Sequence, residues 1–238
     1  MKRILSLMRR AVEDYNMIEE GETIAVGVSG GKDSLALLFA LSKLSEFYPK
    51  KFNVIAITLD MGFAGMDFSP IAEYCKEKNI PYFVEKTEIK KIVFDLRKES
   101  NPCALCANLR RGALHSAALE RGVSKIALGH HYDDAVETFM LSLIYEGRVG
   151  GFAPNTFLDR RGVTLIRPLI YVEENEIRRF AEASRLPIVK STCTADGNTK
   201  REYIKNLLYS IDKDAKDVKK RLFTAMKNSV NGWEIADK

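Results

Sequence analysis

The segment SGGKDS (29–34) contains the residue types that hold a phosphate group. Gly30 and Gly31 let the backbone approach a ligand closely, the serines can donate hydroxyl hydrogen bonds, and Lys32 adds positive charge. The apolar run TIAVGV (23–28) precedes the segment and a helix-like pattern follows it, so a helix N-terminus would face the same anion. The adjacent glycines exclude the common GxxxxGK[S/T] loop, and a plain strand-to-helix turn is the alternative interpretation.

A second polar group, GHHYDDAVET, also follows an apolar run. Gly129 permits close approach of the backbone to a nucleotide, and His130 follows it directly. Asp133 and Asp134 are expected in the same crevice as Asp33. Carboxylates that face a triphosphate usually share a Mg²⁺ ion with it. For this segment alone, a capped turn with two solvated aspartates is the alternative; two such motifs at strand ends together favour a nucleotide site.

Three of the four cysteines have a spacing that can bind a metal. Cys103 and Cys106 form a CxxC pair, Cys193 lies far downstream, and Cys75 has the pattern of an ordinary helix residue. The open interpretations are a redox pair, a zinc site completed by His130 or His131, a [4Fe–4S] cluster with one open iron, or incidental buried thiols. Four cysteines in 238 residues do not make a disulfide scaffold, which favours the reducing cytoplasm.

Strand-like apolar runs alternate with helix-like segments, which predicts an α/β fold with an open, mostly parallel sheet and helices on both faces. Such a sheet binds ligands beyond the carboxyl ends of its strands. The predicted strands are 23–28, 53–59, 81–85, 125–129 and 164–169, the predicted helices include 34–47, 105–122 and 133–147, and 147–157 is predicted as a loop over the site.

The predicted organisation is an N-terminal helix (1–20), a nucleotide-binding domain (21–190) and a basic helical segment (191–238) packed on the same domain. Residues 200–228 contain nine Lys or Arg and four Asp or Glu. This excess predicts either a solvated helix face or a nucleic-acid footprint. The chain has no run of eighteen apolar residues and no signal-peptide pattern, so no membrane partner is expected.

SGGKDS resembles the PP-loop (SGGxDS) of the N-type ATP pyrophosphatases, which implies an adenine nucleotide alpha hydrolase-like fold. GHHYDD, PCALCANLRRGAL, STC and LFTAMKNS are similar to the tRNA 2-thiocytidine synthetases of that superfamily. The resemblance implies a tRNA thiolase that uses ATP, Mg²⁺ and a [4Fe–4S] cluster. The C2 oxygen of a cytidine in the anticodon loop attacks the α-phosphorus, pyrophosphate leaves, and sulfur then displaces AMP.

The same resemblance implies roles for individual residues. Cluster ligation is implied for Cys103, Cys106 and Cys193, which join Asp33, Asp133 and Asp134 as the expected catalytic set. ATP-binding roles are implied for Ser29, Gly30, Gly31, Lys32, Asp33, Ser34, Thr58, Leu59, Asp60, Gly129 and His130. The candidate tRNA-binding residues are Arg110, Arg111, Lys200, Arg201 and Lys205.

Two other functions stay open from the sequence. One is another PP-loop adenylating enzyme, of the tRNA 2-thiouridine, lysidine or amide-forming type; the three cysteines argue against the lysidine and amide-forming types. The other is a zinc-stabilised ATP- and RNA-binding module without turnover. The expected partners are tRNA, a sulfur donor that is either a cysteine desulfurase or sulfide, and a second copy of the chain in a homodimer.

Overall fold

The computed structural model describes residues 1–97, 102–190, 192–193 and 200–236. The strands are β1 Thr23–Gly27, β2 Asn53–Asp60, β3 Tyr82–Lys86, β4 Lys125–Ala127, β5 Asn155–Leu158 and β6 Val163–Ile166. The helices are α1 Lys2–Asp14, α2 Lys32–Phe47, α3 Ser69–Glu77, α4 Pro102–Leu119, α5 Tyr132–Tyr145, α6 Glu174–Ala183, α7 Lys200–Asp214 and α8 Val218–Ser229, with a π-helical stretch at Lys91–Arg97.

The six strands form one sheet in the order β3-β2-β1-β4-β6-β5. Every neighbouring pair is parallel except β5 with β6. The chain moves outward from β1 through β2 to β3 and then returns to place β4 on the other side of β1. The crevice at the carboxyl ends of β1 and β4 is therefore the topological switch point, where open α/β sheets bind ligands.

Alternate residues of the central strands supply two cores, one on each face of the sheet. Ile24 and Val26 of β1 face the larger core, which also includes side chains of α1, α2, α6, α7 and α8. Ala25 faces the smaller core, where Leu114 and Ala118 of α4 cover the sheet. The predicted mostly parallel sheet with helices on both faces is thus confirmed.

The N-terminal and C-terminal helices are part of the larger core. Met8 of α1, Ile204 of α7 and Met226 of α8 are each fully buried in it. The boundaries at residues 20 and 190 stay a prediction. No helix within the described ranges is long and apolar enough to cross a membrane.

The predicted loop at 147–157 was wrong at its end, because β5 begins at Asn155 and pairs with β6. This edge strand has four residues, and its side chains are half-buried or exposed, so it has no alternating apolar pattern that the sequence could reveal. The strand predicted at 164–169 ends at Ile166. Pro168 cannot donate a ladder hydrogen bond, which limits how far that strand extends.

Candidate active site

The loop after β1 has the backbone of a phosphate-binding turn. Gly30 has a φ of +87°, and a Cβ there would lie 3.1 Å from Cβ of Val189. The Ser29 N–H donates to Ser34 Oγ at 3.1 Å, and Ser34 Oγ donates to the Gly31 carbonyl at 3.0 Å. No described side chain caps the N-terminus of α2. Its first N–H groups are therefore available to an anion.

The end of β4 is pressed against this loop. A Cβ at Gly129 would lie 3.0 Å from the backbone nitrogen of Ser34, so only glycine allows this approach. His131 then caps α5, because its Nδ1 accepts the Asp134 N–H at 3.4 Å while Asp134 Oδ2 accepts the His131 N–H at 3.1 Å. His131 Nε2 also lies 3.7 Å from Asp33 Oδ1. The two motifs therefore share one crevice, as the sequence predicts.

Asp33 has an unsatisfied oxygen in this crevice. Its Oδ2 accepts a hydrogen bond from Lys32 Nζ at 3.1 Å, whereas its Oδ1 is enclosed and has no hydrogen-bond donor among the described residues. An enclosed carboxylate oxygen without a partner is costly and indicates a missing ligand. Mg²⁺ is commonly bound by one or two carboxylates together with the phosphates of a nucleotide. Asp33 fits that role.

Glu174, which the sequence did not single out, joins the loop to the C-terminal segment. Its Oε1 lies 3.1 Å from Lys32 Nζ and its Oε2 accepts a hydrogen bond from Lys205 Nζ at 2.7 Å. Burial raises the pKa of Glu174, but Lys205 and Lys32 outweigh this effect and lower the pKa to about 2. An acidic residue in the first turn of a helix is common, so the sequence offered no signal beyond capping.

Asp133 is held by two other elements and is only 5% exposed. Its Oδ2 accepts the Glu174 N–H at 2.8 Å, and its Oδ1 accepts a hydrogen bond from Lys219 Nζ of α8 at 2.5 Å. Asp133 therefore ties the start of α5 to α6 and α8. No sequence pattern pointed to Lys219.

Two of the predicted tRNA-binding residues contact carboxylates of this site. Arg201 donates to Asp134 Oδ1 at 3.4 Å and to Glu137 Oε2 at 3.0 Å, and Lys205 pairs with Glu174 as described. Lys200 lies over the Tyr145 ring at 4.5 Å. Arg110 and Arg111 are exposed on α4. The tRNA-binding role of all five stays a prediction.

The end of β2, where adenine binding is predicted, is partly closed. Thr58 Oγ1 donates to the Val28 carbonyl at 2.9 Å and accepts the Tyr82 hydroxyl at 3.0 Å, so its hydroxyl joins three strands. Leu59 is half-buried, and Asp60 Oδ1 accepts a backbone N–H two residues on. An adenine contact by these residues stays a prediction.

The His130 ring packs against the ring of Phe152. Its ring centroid lies 5.0 Å from that of Phe152, and its Nδ1 is enclosed without a hydrogen-bond partner within the described part of the chain. Burial, and then the charge of Arg167, lower the pKa of His130 to about 4. The imidazole is therefore neutral at about pH 7.

The three cysteines of the CxxC and STC segments influence one another. Burial raises the pKa of Cys106, Arg110 lowers it, and Cys193 and Cys103 raise it further. Cys103 and Cys193 therefore both lie within electrostatic range of Cys106. Cys75 is fully buried in α3 and is not among the groups that act on Cys106.

The segment before Cys193 crosses the phosphate loop. The Val189 N–H donates to the Gly30 carbonyl at 3.0 Å, and Thr192 Oγ1 donates to the Ala64 carbonyl at 3.2 Å. Cys193 thus follows a segment that is bound to the nucleotide crevice. Within the described ranges, no three His, Cys, Asp or Glu side chains lie in ready metal-binding geometry, and neither histidine of GHHYDD joins the thiols.

The sequence and the fold were compared with known proteins. Residues 3–211 match the model of the PP-loop domain. The chain belongs to the PP-loop family. It is 40% identical over 230 residues to a tRNA-cytidine(32) 2-sulfurtransferase of Geobacter sulfurreducens, covering 95% of this chain and 90% of that protein. A protein of the same name from Citrifermentans bemidjiense is 38% identical over 239 residues, covering 99% and 93%.

The solved structures agree with the PP-loop fold. A U34-tRNA thiolase NcsA from Methanococcus maripaludis, solved with its [4Fe–4S] cluster, superposes with a TM-score of 0.75 at 24% identity and covers 94% of this chain and 77% of that one. An NH3-dependent NAD synthetase from Campylobacter jejuni superposes with a TM-score of 0.52 at 14% identity, covering 95% of this chain and 90% of that one. At these identities the likeness shows the fold alone.

The predicted family and fold are confirmed, and the PP-loop residues meet at one crevice. The residues that sequence reasoning missed are Glu174, Lys219, Arg167 and Phe152. Each comes from a helix, strand end or loop that carries no motif of its own. The roles of the individual site residues remain predictions.

Proposed function

We propose that this protein is an ATP-dependent tRNA sulfurtransferase that converts a cytidine of the anticodon loop, at position 32, to 2-thiocytidine. The observation that carries the proposal is the PP-loop crevice, where the glycine turn and the uncapped N-terminus of α2 are hydrogen-bonded to the segment that leads to Cys193. The relatives named tRNA-cytidine(32) 2-sulfurtransferase support the choice of base and position.

The PP-loop and the start of α2 bind the pyrophosphate end of ATP through backbone N–H groups. Asp33, whose Oδ1 is unsatisfied, would hold a Mg²⁺ ion, which would supply positive charge to the phosphates. The C2 oxygen of the cytosine attacks the α-phosphorus, and pyrophosphate leaves. The O2-adenylated base then loses AMP when sulfur forms a bond to C2. A base in a loop can be turned out of its stack at modest cost.

The three thiols fit an iron–sulfur cluster by their chemistry, since thiolates are its usual ligands. When bound, a [4Fe–4S] cluster with three cysteine ligands leaves one iron open to carry the incoming sulfur. Cys103, Cys106 and Cys193 would hold it. Burial raises the pKa of Cys106, and Arg110 opposes that rise and so favours the thiolate form that a metal needs. Arg111, the other arginine of α4, faces the tRNA.

Further parts of the proposal rest on the family alone. The sulfur comes from a cysteine desulfurase or from free sulfide, the chain forms a homodimer, and the protein acts in the cytoplasm, where tRNA is. Sedimentation of the purified protein and sulfur-transfer assays with each donor test the first two points.

The proposal is tested on protein purified without oxygen. We expect a brown protein with absorption near about 400 nm and about four irons per chain. Incubation with ATP, sulfide and unmodified tRNA should give 2-thiocytidine in digested tRNA, measured by mass spectrometry. Cys106→Ala should lose both the cluster and the product while it keeps ATP binding. Cys75→Ala is the matched control and should keep all three.

Other outcomes would identify other functions. A colourless protein with one zinc and no pyrophosphate release would favour the binding module without turnover. 2-Thiouridine in place of 2-thiocytidine would assign the uridine type. Pyrophosphate release with an unmodified tRNA base would require another acceptor.

A further inference from the structure

Arg167 is a buried cation without a counter-charge in the described part of the protein. It follows β6 directly and is only 7% exposed. Its Nη1 donates to the Ala153 carbonyl at 2.5 Å and to Thr156 Oγ1 at 3.4 Å, and its guanidinium lies 4.7 Å from the centre of the Phe152 ring. None of these groups is anionic. Burying a charge without an opposite charge is costly, so this arrangement calls for an explanation.

Two nitrogens of the Arg167 guanidinium donate no hydrogen bond to the described residues. Its Nε is enclosed and has no acceptor among the described residues. Its Nη2 makes no hydrogen bond to them either, yet it is not one of the enclosed atoms. By contrast, each of the other cations that the structure describes at the crevice contacts at least one carboxylate: Lys32, Arg201, Lys205 and Lys219. Arg167 is therefore the crevice cation that the described protein leaves unsatisfied.

The charge around Arg167 is positive. Burial, and then the charge of Arg111 on α4, lower the pKa of Arg167 to about 10. Arg167 therefore has a cation and no carboxylate acting on it, and an anion would stabilise its charge.

Arg167 lies at the edge of the sheet where ligands bind. Ala127 of β4 is level with Ile166 of β6, and Val26 of β1 is level with Ala127. Arg167 is thus two strands from the end of β1, about 10 Å at the usual strand spacing. It is also close enough to His130 to lower its pKa.

We propose that Arg167 binds a phosphate group at the carboxyl ends of β4 and β6. A guanidinium donates two parallel hydrogen bonds to phosphate oxygens, and Nε with Nη2 is the edge left for this. The inference rests on the proposed function in that the phosphate comes from one of its two substrates. It is either the α-phosphate of the nucleotide or a phosphodiester of the tRNA next to the target base.

The test compares Arg167→Gln with Arg161→Gln, which removes an exposed cation from the turn at the opposite end of β6. Full-length protein purified without oxygen is titrated with AMP, with adenosine and with an unmodified anticodon stem-loop. If the phosphate is that of the nucleotide, Arg167→Gln weakens AMP binding by about tenfold or more and leaves adenosine binding unchanged. If it belongs to tRNA, stem-loop binding weakens, the slope of log K against log salt falls by about one, and AMP binding is unchanged.

The inference is overturned if a folded Arg167→Gln binds AMP and the stem-loop as Arg161→Gln does. If Arg167→Gln does not fold, Arg167→Lys replaces it, since lysine keeps the charge and loses the two-pronged geometry. An unchanged affinity for both ligands in that variant is equally negative.

These titrations need no turnover, so the outcome is separable from that of the proposed function. If Arg167→Gln loses phosphate affinity and the unaltered protein makes no 2-thiocytidine, this inference stands and the proposed function is wrong. If Arg167→Gln binds both ligands normally and the unaltered protein makes 2-thiocytidine, the proposed function stands and this inference is wrong.

Discussion

The three aspartates that the sequence could not tell apart have different surroundings. Asp134 caps α5 and Asp133 is fixed by Lys219 and a backbone N–H, so both carboxylates are already occupied. Asp33 alone of the three has an enclosed oxygen without a donor among the described residues. We infer that Asp33 is the magnesium ligand and that Asp133 and Asp134 keep the crevice in shape.

Asp33→Asn should therefore act on catalysis and not on folding. The amide has no charge to hold Mg²⁺ between itself and the phosphates. We expect pyrophosphate release to fall by about a hundredfold or more, a loss of about 2.7 kcal/mol of transition-state stabilisation. Asp133→Asn is the contrasting variant, and its main effect should be a lower melting temperature. Equal activity of Asp33→Asn and the unaltered protein would remove the metal assignment.

Glu174 predicts how stability depends on pH. Its pKa in the folded protein is about 2, below its ordinary value of 4.5. Its contribution is therefore complete above about pH 4.5 and is lost as the pH falls toward about 2. At about pH 7, Glu174→Gln should lower the free energy of unfolding by about 1–2 kcal/mol, because the ion pairs are partly screened by solvent.

Urea unfolding between about pH 3 and pH 7 measures this difference. Glu182→Gln, which removes an exposed carboxylate of the same helix, is the control and should leave stability nearly unchanged. A difference between Glu174→Gln and the unaltered protein that stays constant down to about pH 3 would contradict the ion-pair explanation.

At the scale of elements, three helix N-termini converge on the crevice. α2 follows the PP-loop, α5 is capped by His131, and α6 begins with Glu174, whose N–H is bound by Asp133. The close approach of β4 to α2 sets the distance between these ends, and Gly129 makes that approach possible. A side chain at this position would push against backbone that has no freedom to rotate away.

Gly129→Ala should therefore separate β4 from the PP-loop. A Cβ there would lie 3.0 Å from Ser34 N and 3.2 Å from the Asp33 carbonyl oxygen. We expect the rate of pyrophosphate release to fall by about tenfold or more, because a small displacement of bound groups is costly in a reacting complex. Gly112→Ala on α4 meets no atom within 4 Å and is the matched control. It should leave activity unchanged and slightly stabilise the helix.

At the scale of the whole molecule, we expect the basic C-terminal segment to serve both the acidic site and the tRNA. The chain has a formal charge of +5, and residues 200–228 have the same excess. Arg201, Lys205 and Lys219 contact carboxylates of the crevice. Part of the positive charge thus balances the acidic site, and the exposed remainder is what tRNA can reach.

The exposed remainder can be tested on α8. Lys220 and Arg221 are exposed there, and we expect their double replacement by alanine to lower the slope of log K for tRNA against log salt by about two. ATP binding should not change, since neither residue lies in the crevice. The matched control replaces two other exposed lysines by alanine, Lys76 within α3 and Lys78 directly after it. This control removes the same charge from another surface. Equal slopes for the two double variants would place the tRNA elsewhere.

The sequence by itself determined the α/β class, the two nucleotide motifs and the three relevant cysteines. These features are local: strand and helix periodicities repeat within a few residues, and a phosphate loop needs its glycines and serines next to each other. SGGKDS and GHHYDD could be placed at one edge because parallel strands end together. The spacing of the CxxC pair left several interpretations open, and the family resemblance joined Cys193 to it as a predicted cluster ligand.

Only the tertiary structure decided which charges meet. Glu174, Lys219 and Arg167 lie in segments without a motif. Glu174 pairs with Lys205, 31 residues away, and Lys219 with Asp133, 86 residues away, whereas Arg167 has no carboxylate partner among the described residues. The edge strand β5 depends likewise on β6 and not on its own pattern. Coulomb and hydrogen-bond energies depend on distance in space, and folding sets those distances across elements that the sequence does not link.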